Sequence, residues 1–215
     1  MKQIRTRVKI CGITRVDDAL DVVASGADAI GLVFYGPSPR NVSLERAKEI
    51  AAAVPAFVTV VALFVDPSEE QVQQVLNHVR IDLIQFHGDE DNDFCSRFQR
   101  PFIKAIRVRQ ASDVVASCLR FPNAVGILLD SYKPGVPGGT GETFDWSLIP
   151  TQANKPLILA GGLNADNIAG AIDDVQPFAV DVSGGVEASK GIKDPEKVKA
   201  FLNEVYSVDQ RNPKG

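Results

Sequence analysis

Val8-Lys9-Ile10-Cys11-Gly12-Ile13-Thr14 reads as a short apolar strand that ends on a cysteine and breaks at a glycine. Similar runs stand at 28–34, 57–65, 82–87, 101–107, 124–130, 156–160 and 178–183, each closed by a glycine, a polar group or a charge. Helical spacing fills the intervals at 16–25, 44–54, 69–79, 91–98, 112–119 and 164–175, and 195–206 ends the series. The interval after 124–130 is less regular, with a Gly/Pro-rich loop over 133–141 and a short helical stretch at 146–149. Strands that alternate with helices and carry few surface-type residues pair in parallel and are covered on both faces. Eight such units predict an α/β fold, a single (β/α)8 TIM barrel with parallel strands. An open, doubly wound sheet is the alternative.

A chain of 215 residues with 45% hydrophobic content has enough apolar surface for one full core. No linker, charge block or change of composition divides it, so residues 1–208 are read as one catalytic barrel domain and 209–215 as a frayed tail. The net charge of -4 argues against a broad nucleic-acid surface and leaves room for a local basic pocket that takes a small anion. Met1-Lys2-Gln3-Ile4-Arg5 is not followed by a secretory apolar block, and no apolar run is long enough to cross a bilayer. A cytoplasmic protein with no membrane partner is expected. Cys11, Cys95 and Cys118 show neither metal-ligand spacing nor an even disulfide set, which fits a reducing compartment. Cys95 and Cys118 fall in helical stretches and read as packed thiols.

In a β/α barrel the chemistry gathers at the carboxyl ends of the strands. Cys11 ends the first strand. Asp130, taken as the end of strand five, would stand opposite it, so that a thiol and a carboxyl face one substrate as base and acid. A strand-end aspartate also serves to cap a following helix. A free thiol is mostly protonated near neutral pH, so a basic Cys11 needs a neighbour that stabilises the thiolate. Lys9 shares its strand face and offers that charge. Barrel closure brings Asp181 of the last strand beside Lys9, as an interior ion pair or a catalytic partner.

Gly161-Gly162 and Ser183-Gly184-Gly185 follow the last two strands, where barrels often present backbone N–H groups to a phosphate. Arg40 sits in a loop stiffened by Pro37 and Pro39, and its planar fork suits a substrate carboxylate. His87, beside Gly88-Asp89-Glu90, lines the pocket or fastens its own turn.

These residues resemble the phosphoribosylanthranilate isomerase family over nearly the whole chain. The resemblance is carried by Lys9-Ile10-Cys11-Gly12-Ile13-Thr14, Gly31-Leu32-Val33-Phe34-Tyr35 with Ser38-Pro39-Arg40, Gln85-Phe86-His87-Gly88 and Leu128-Leu129-Asp130. It continues through Gly138-Gly139-Thr140-Gly141 with Phe144-Asp145-Trp146, Ala160-Gly161-Gly162-Leu163 and Asp181-Val182-Ser183-Gly184-Gly185-Val186-Glu187. It implies a (β/α)8 barrel that performs an Amadori rearrangement on a phosphorylated aminosugar without a cofactor. Asp130 is then the general acid and Cys11 the general base. Arg40 faces the anthranilate carboxylate, the glycine turns take the phosphate, and His87 and Asp181 line the pocket. Residues 139–142 look like a mobile cover, and family members occur as a monomer or homodimer. Another phosphosugar enzyme on the same barrel, or a silent barrel that binds a phosphorylated metabolite, is the competing reading.

Overall fold

The computed structural model describes residues 5–131, 146–150 and 153–211. Eight strands close in sequence order into a barrel: β1 (Arg7–Cys11), β2 (Ala29–Phe34), β3 (Thr59–Phe64), β4 (Leu83–Phe86), β5 (Phe102–Val108), β6 (Gly126–Ser131), β7 (Leu157–Leu159) and β8 (Ala179–Val182). Every neighbouring pair is parallel, including the β1–β8 seam where Lys9 is the Cα partner of Asp181. The helices are α1 (Val16–Ala24), α2 (Leu44–Ala53), α3 (Glu69–His78), α4 (Asn92–Cys95), α5 (Ala111–Arg120), α6 (Ile168–Val175) and α7 (Pro195–Arg211). The proposed cover at 139–142 lies outside the described residues. Among the described residues no helix is long and apolar enough to cross a membrane.

Local chemistry sets the helix starts. Ser68 accepts from the Gln71 backbone N–H while the Gln71 side chain accepts from Ser68 N, which completes a capping box on α3. Ser43 and Asp91 cap α2 and α4 with a single bond each. The expected helix over 164–175 begins only at Ile168, because the Asn164 side chain accepts from Asp166 N and Asn167 N and shapes a turn instead.

Strand alternation divides the core in two. Outward residues such as Ile10, Ile30, Phe64, Phe86, Ile127 and Leu129 pack under the helices, and Ile103, Ala105, Leu128, Ile158, Ala160 and Ala179 fill the barrel interior. Phe86 touches the rings of Phe64, Phe94, Phe98 and Phe102 at centroid distances of 5.9–6.4 Å. Burying a ring of this size contributes roughly 1.5–3 kcal/mol. That cluster fixes β4, and so the position of His87 directly after it.

The structure corrects two expectations. Asp130 belongs to the sixth strand of the ring, not the fifth, because the run at 101–107 takes its own place as β5. Asp130 therefore stands three strands from Cys11 around the shorter arc rather than diametrically opposite. The tail expected to fray from 209 is helical through Arg211. Val205 and Val208 stay buried, and Asp209 accepts from Thr6 N at 2.7 Å and from Thr6 Oγ1 at 2.9 Å. A short hairpin, β9 (Glu187–Ser189) with β10 (Ile192–Lys193), follows β8 and was not expected.

Candidate active site

Lys9 and Cys11 project from the same inner face of β1 because they are two residues apart. Gly31 is the Cα partner of Cys11 on β2. A β-carbon there would lie 2.8 Å from Cys11 Sγ and 3.1 Å from Lys9 Nζ, so glycine makes room for both groups. Cys11, Arg40, His87, Asp130 and Asp181 line one cavity of about 520 Å³ at the carboxyl ends of the strands, together with the turns after β7 and β8. A second cavity of about 480 Å³ lies beside β5 and α5 and shares only His87 with the first. It contains neither the strand-end thiol nor the glycine turns.

Lys9 Nζ donates to Asp181 Oδ1 at 2.8 Å, with both side chains buried. Burial opposes charge on each, yet Asp181 and Cys11 together hold the Lys9 ammonium above its ordinary value. Burial also lifts the Asp181 carboxyl despite Lys9. The two directions pull apart, and the short contact favours the ion pair. For Cys11 burial dominates and raises the thiol above its ordinary range; Lys9 opposes it, but Asp181 adds to it. The thiolate-stabilising charge anticipated from Lys9 is present but already answered by a carboxylate.

Asp130 is held on both oxygens. Its Oδ1 accepts from Ser131 N at 2.9 Å, and His87 Nε2 lies 3.1 Å from Oδ2. Gln85 Nε2 lies 3.0 Å from His87 Nδ1 and extends the chain to three residues. The Gln85 amide and the Asp130 carboxyl thus flank the two ring nitrogens of His87.

Arg40 lines the cavity, but its guanidinium is engaged: Nε and Nη2 donate to Glu187 Oε1 and Oε2 at 2.7 and 2.8 Å. This two-bonded contact leaves three of its five N–H donors. Its stem crosses Gly12, where a β-carbon would come within 2.5 Å of Arg40 Cδ. Gly161 and Gly162 have φ of 82° and 67°, and Ser183 precedes a 3-10 turn over Gly184–Val186. Ser183 Oγ is buried without a hydrogen-bond partner among the described residues. An orphaned hydroxyl between two glycine turns fits an oxyanion.

The ten residues named for catalysis or substrate binding all border this cavity, and Lys9, named as the neighbour of Cys11, lies behind them against Asp181. Sequence reading missed the partners behind them: Glu187 and Lys193 behind Arg40, and Gln85 behind His87. Glu187 and Gln85 stand inside the motifs quoted above. Nothing in the local pattern ties Glu187 to a residue 147 positions earlier.

A family model described as N-(5'phosphoribosyl)anthranilate (PRA) isomerase matches residues 8–204. The N-(5'-phosphoribosyl)anthranilate isomerase of Stutzerimonas stutzeri is 60% identical over 202 residues, covering 94% of this chain and 98% of that one. The crystal structure of phosphoribosyl anthranilate isomerase from Thermotoga maritima is 42% identical, with a TM-score of 0.86 over 94% of this chain and 99% of that one. A phosphoribosyl anthranilate isomerase solved with reduced 1-(o-carboxyphenylamino)-1-deoxyribulose 5-phosphate is 39% identical, with a TM-score of 0.81 and the same coverage. The chain belongs to the N-(5'-phosphoribosyl)anthranilate isomerase family.

Proposed function

We propose that this chain is the aldose–ketose isomerase that converts N-(5-phosphoribosyl)anthranilate to 1-(2-carboxyphenylamino)-1-deoxyribulose 5-phosphate, the Amadori step of tryptophan biosynthesis. The observation that carries this reading is the opening of Cys11 and Asp130 on one cavity that also holds the glycine turns and the unpartnered Ser183 hydroxyl. Family membership supports it.

The chemistry needs two proton transfers at different atoms. Asp130, as general acid, gives a proton to the furanose ring oxygen as the C1–O bond breaks and the nitrogen lone pair closes a C1=N Schiff base. The carboxylate left behind is met by Ser131 N and by the His87 ring. Cys11, as thiolate, then takes the C2 proton; the electrons of that C–H bond become C1=C2 and the iminium pair returns to nitrogen. The enolamine moves a proton from its hydroxyl to C1 and becomes the aminoketone. The substrate gains one proton from Asp130 and gives one to Cys11, so the product is an isomer; the enzyme resets when Cys11 releases its proton and Asp130 takes one up through solvent, and no cofactor enters the balance.

The burial of Cys11 suits this second step. A desolvated thiolate is scarce but strongly basic, and taking a proton from carbon returns it to the neutral form its site favours. Arg40 faces the anthranilate carboxylate with the donors Glu187 leaves open, and the turns after β7 and β8 take the phosphate. Every one of these groups comes from one chain, so the site is complete in a monomer and is compatible with a homodimer. Small-metabolite chemistry and three free cysteines support the cytoplasm as its compartment.

The test is turnover of freshly made phosphoribosylanthranilate with no added metal. Cys11→Ala and Asp130→Asn should each lower kcat by roughly 10²–10⁴-fold while the substrate still binds. Full turnover in both variants would reject the assignment of base and acid.

A further inference from the structure

The Arg40–Glu187 pair alone carries no net charge, which makes it a poor magnet for a carboxylate. Lys193 changes that count. Its Nζ lies 3.0 Å from the same Glu187 Oε1 and 3.1 Å from the carbonyl of Ser183, with its side chain only 2% exposed. Glu187 also accepts from Gly191 N through Oε1, so the hairpin β9–β10 holds the carboxylate in place. A buried lysine and a half-buried arginine thus share one carboxylate.

The neighbouring charges do not restore the balance. Lys9 and Asp181 answer each other, and Asp18, which accepts from Lys193 N, is already paired with Arg15. Lys197 donates to the Glu187 carbonyl but is itself exposed, and Asp194 accepts from the first turn of α7. Cys11, which faces Arg40 and Lys193, rests as the neutral thiol because burial raises it above its ordinary range, so it adds no negative charge to the resting site that the carboxylate enters. Burial works against the charge of Glu187, but Arg40 and Lys193 outweigh it and hold the carboxyl below its ordinary range. Burial holds the Lys193 ammonium below its ordinary value against the pull of Glu187. Its bonds to Glu187 and to the Ser183 carbonyl make it a donor on both sides, so with Arg40 and Glu187 charged the cluster carries one positive charge without a counter-ion.

We propose that Arg40, Glu187 and Lys193 form one carboxylate receptor, in which Glu187 fixes both cations and Lys193 supplies the net charge that draws the substrate's anthranilate carboxylate to Arg40. The inference rests on the reading of Arg40 given above. It makes Lys193 a binding determinant although it never has to touch the substrate.

The experiment counts charges. Lys193→Met leaves the cluster neutral and should raise KM about tenfold, with kcat at saturation changing far less. Lys193→Arg keeps the charge and should retain the wild-type KM within about threefold. Glu187→Gln with Lys193→Met returns the cluster to a single positive charge on Arg40, so its KM should fall back toward wild type. A purely structural role for Lys193 predicts the opposite, since the double variant then loses two supports. The double variant leaves no unpaired buried carboxylate, which keeps the test readable if Lys193→Met fails to fold. A KM for the double variant within about threefold of wild type supports the charge count, and a larger rise overturns it.

Competition by inorganic phosphate separates the two anionic ends of the substrate. Lys193 also touches the Ser183 carbonyl of the phosphate turn, so free anthranilate is the second probe. Its inhibition constant should rise about tenfold in Lys193→Met and by more than that of phosphate; a loss confined to phosphate would assign the charge to the phosphate turn and overturn the carboxylate receptor. Arg40→Ala decides which idea has failed. If it raises KM while Lys193→Met does not, only the receptor is wrong; if neither does, the carboxylate role of Arg40 falls as well.

Discussion

Lys9 and Asp181 meet at 2.8 Å across the seam where β1 pairs with β8, two residues before Cys11 on the same strand face. Because Asp181 answers the Lys9 charge, burial prevails and the thiol is raised above its ordinary range. A base that works as thiolate beside an acid that works protonated gives a bell-shaped kcat/KM profile, and the limb set by Cys11 should lie above the ordinary thiol range. Asp181→Asn removes the carboxylate that raises Cys11 and frees the Lys9 charge, so the limb should move to lower pH. Identical limbs in the two proteins would disconnect the pair from the base.

The same pair makes a stability prediction. Lys9→Met leaves a buried Asp181 carboxyl without its partner, and breaking such a pair costs about 3–5 kcal/mol. Replacing both, as in Lys9→Met with Asp181→Leu, should recover most of that loss, since apolar pairs of similar volume often match buried ion pairs. Denaturant midpoints of the three proteins check the order. A double variant no more stable than Lys9→Met would show that the seam depends on charge rather than packing.

Local pattern carried most of the fold, because apolar runs of strand length separated by helical spacing leave few architectures other than a closed barrel. Strand ends then pointed to Cys11, Asp130 and the glycine turns, and ring closure placed Lys9 beside Asp181. Ring position was less secure: the run that ends on Asp130 is the sixth of the eight, and reading it as the fifth set Asp130 opposite Cys11. The α7 end was missed because Asp209 is held by Thr6, a partner 203 residues away. Glu187 and Lys193 were missed for the same kind of reason. A buried charge has no signature along the chain until folding shows which opposite charge it meets.

Two glycines should respond in opposite directions to alanine. Gly161 has φ of 82°, and a β-carbon there would lie 2.6 Å from Ser131 N and 2.9 Å from Asp130 Oδ1. Gly161→Ala should cost about 1–3 kcal/mol and lower kcat, because the atom that must move belongs to the proposed acid. Gly170 is an exposed position in α6 with nothing within 4 Å of its β-carbon site. Gly170→Ala should stabilise by about 0.5–1 kcal/mol and leave kcat alone. Thermal melts beside steady-state kinetics check both; unaltered kcat in Gly161→Ala would mean that Asp130 accommodates the change without losing its geometry.

Glu187 adds a stability signature in acid. Its carboxyl is held below the ordinary carboxylate range, with Arg40 and Lys193 overcoming the penalty of burial. A depressed folded-state value means that the unfolded chain takes up the proton first as pH falls. The stabilisation from Glu187 is therefore fully present above the ordinary carboxylate range and is lost as pH drops through the folded-state value. Glu187→Gln should be less stable than wild type near neutral pH, where Lys193 and Arg40 lose a charged partner. The gap should narrow steadily in acid, because a protonated glutamate and a glutamine offer those cations similar neutral oxygens. Denaturation midpoints across that range decide the matter: a gap independent of pH would mean that Glu187 contributes shape and hydrogen bonds, with its negative charge immaterial to the cluster.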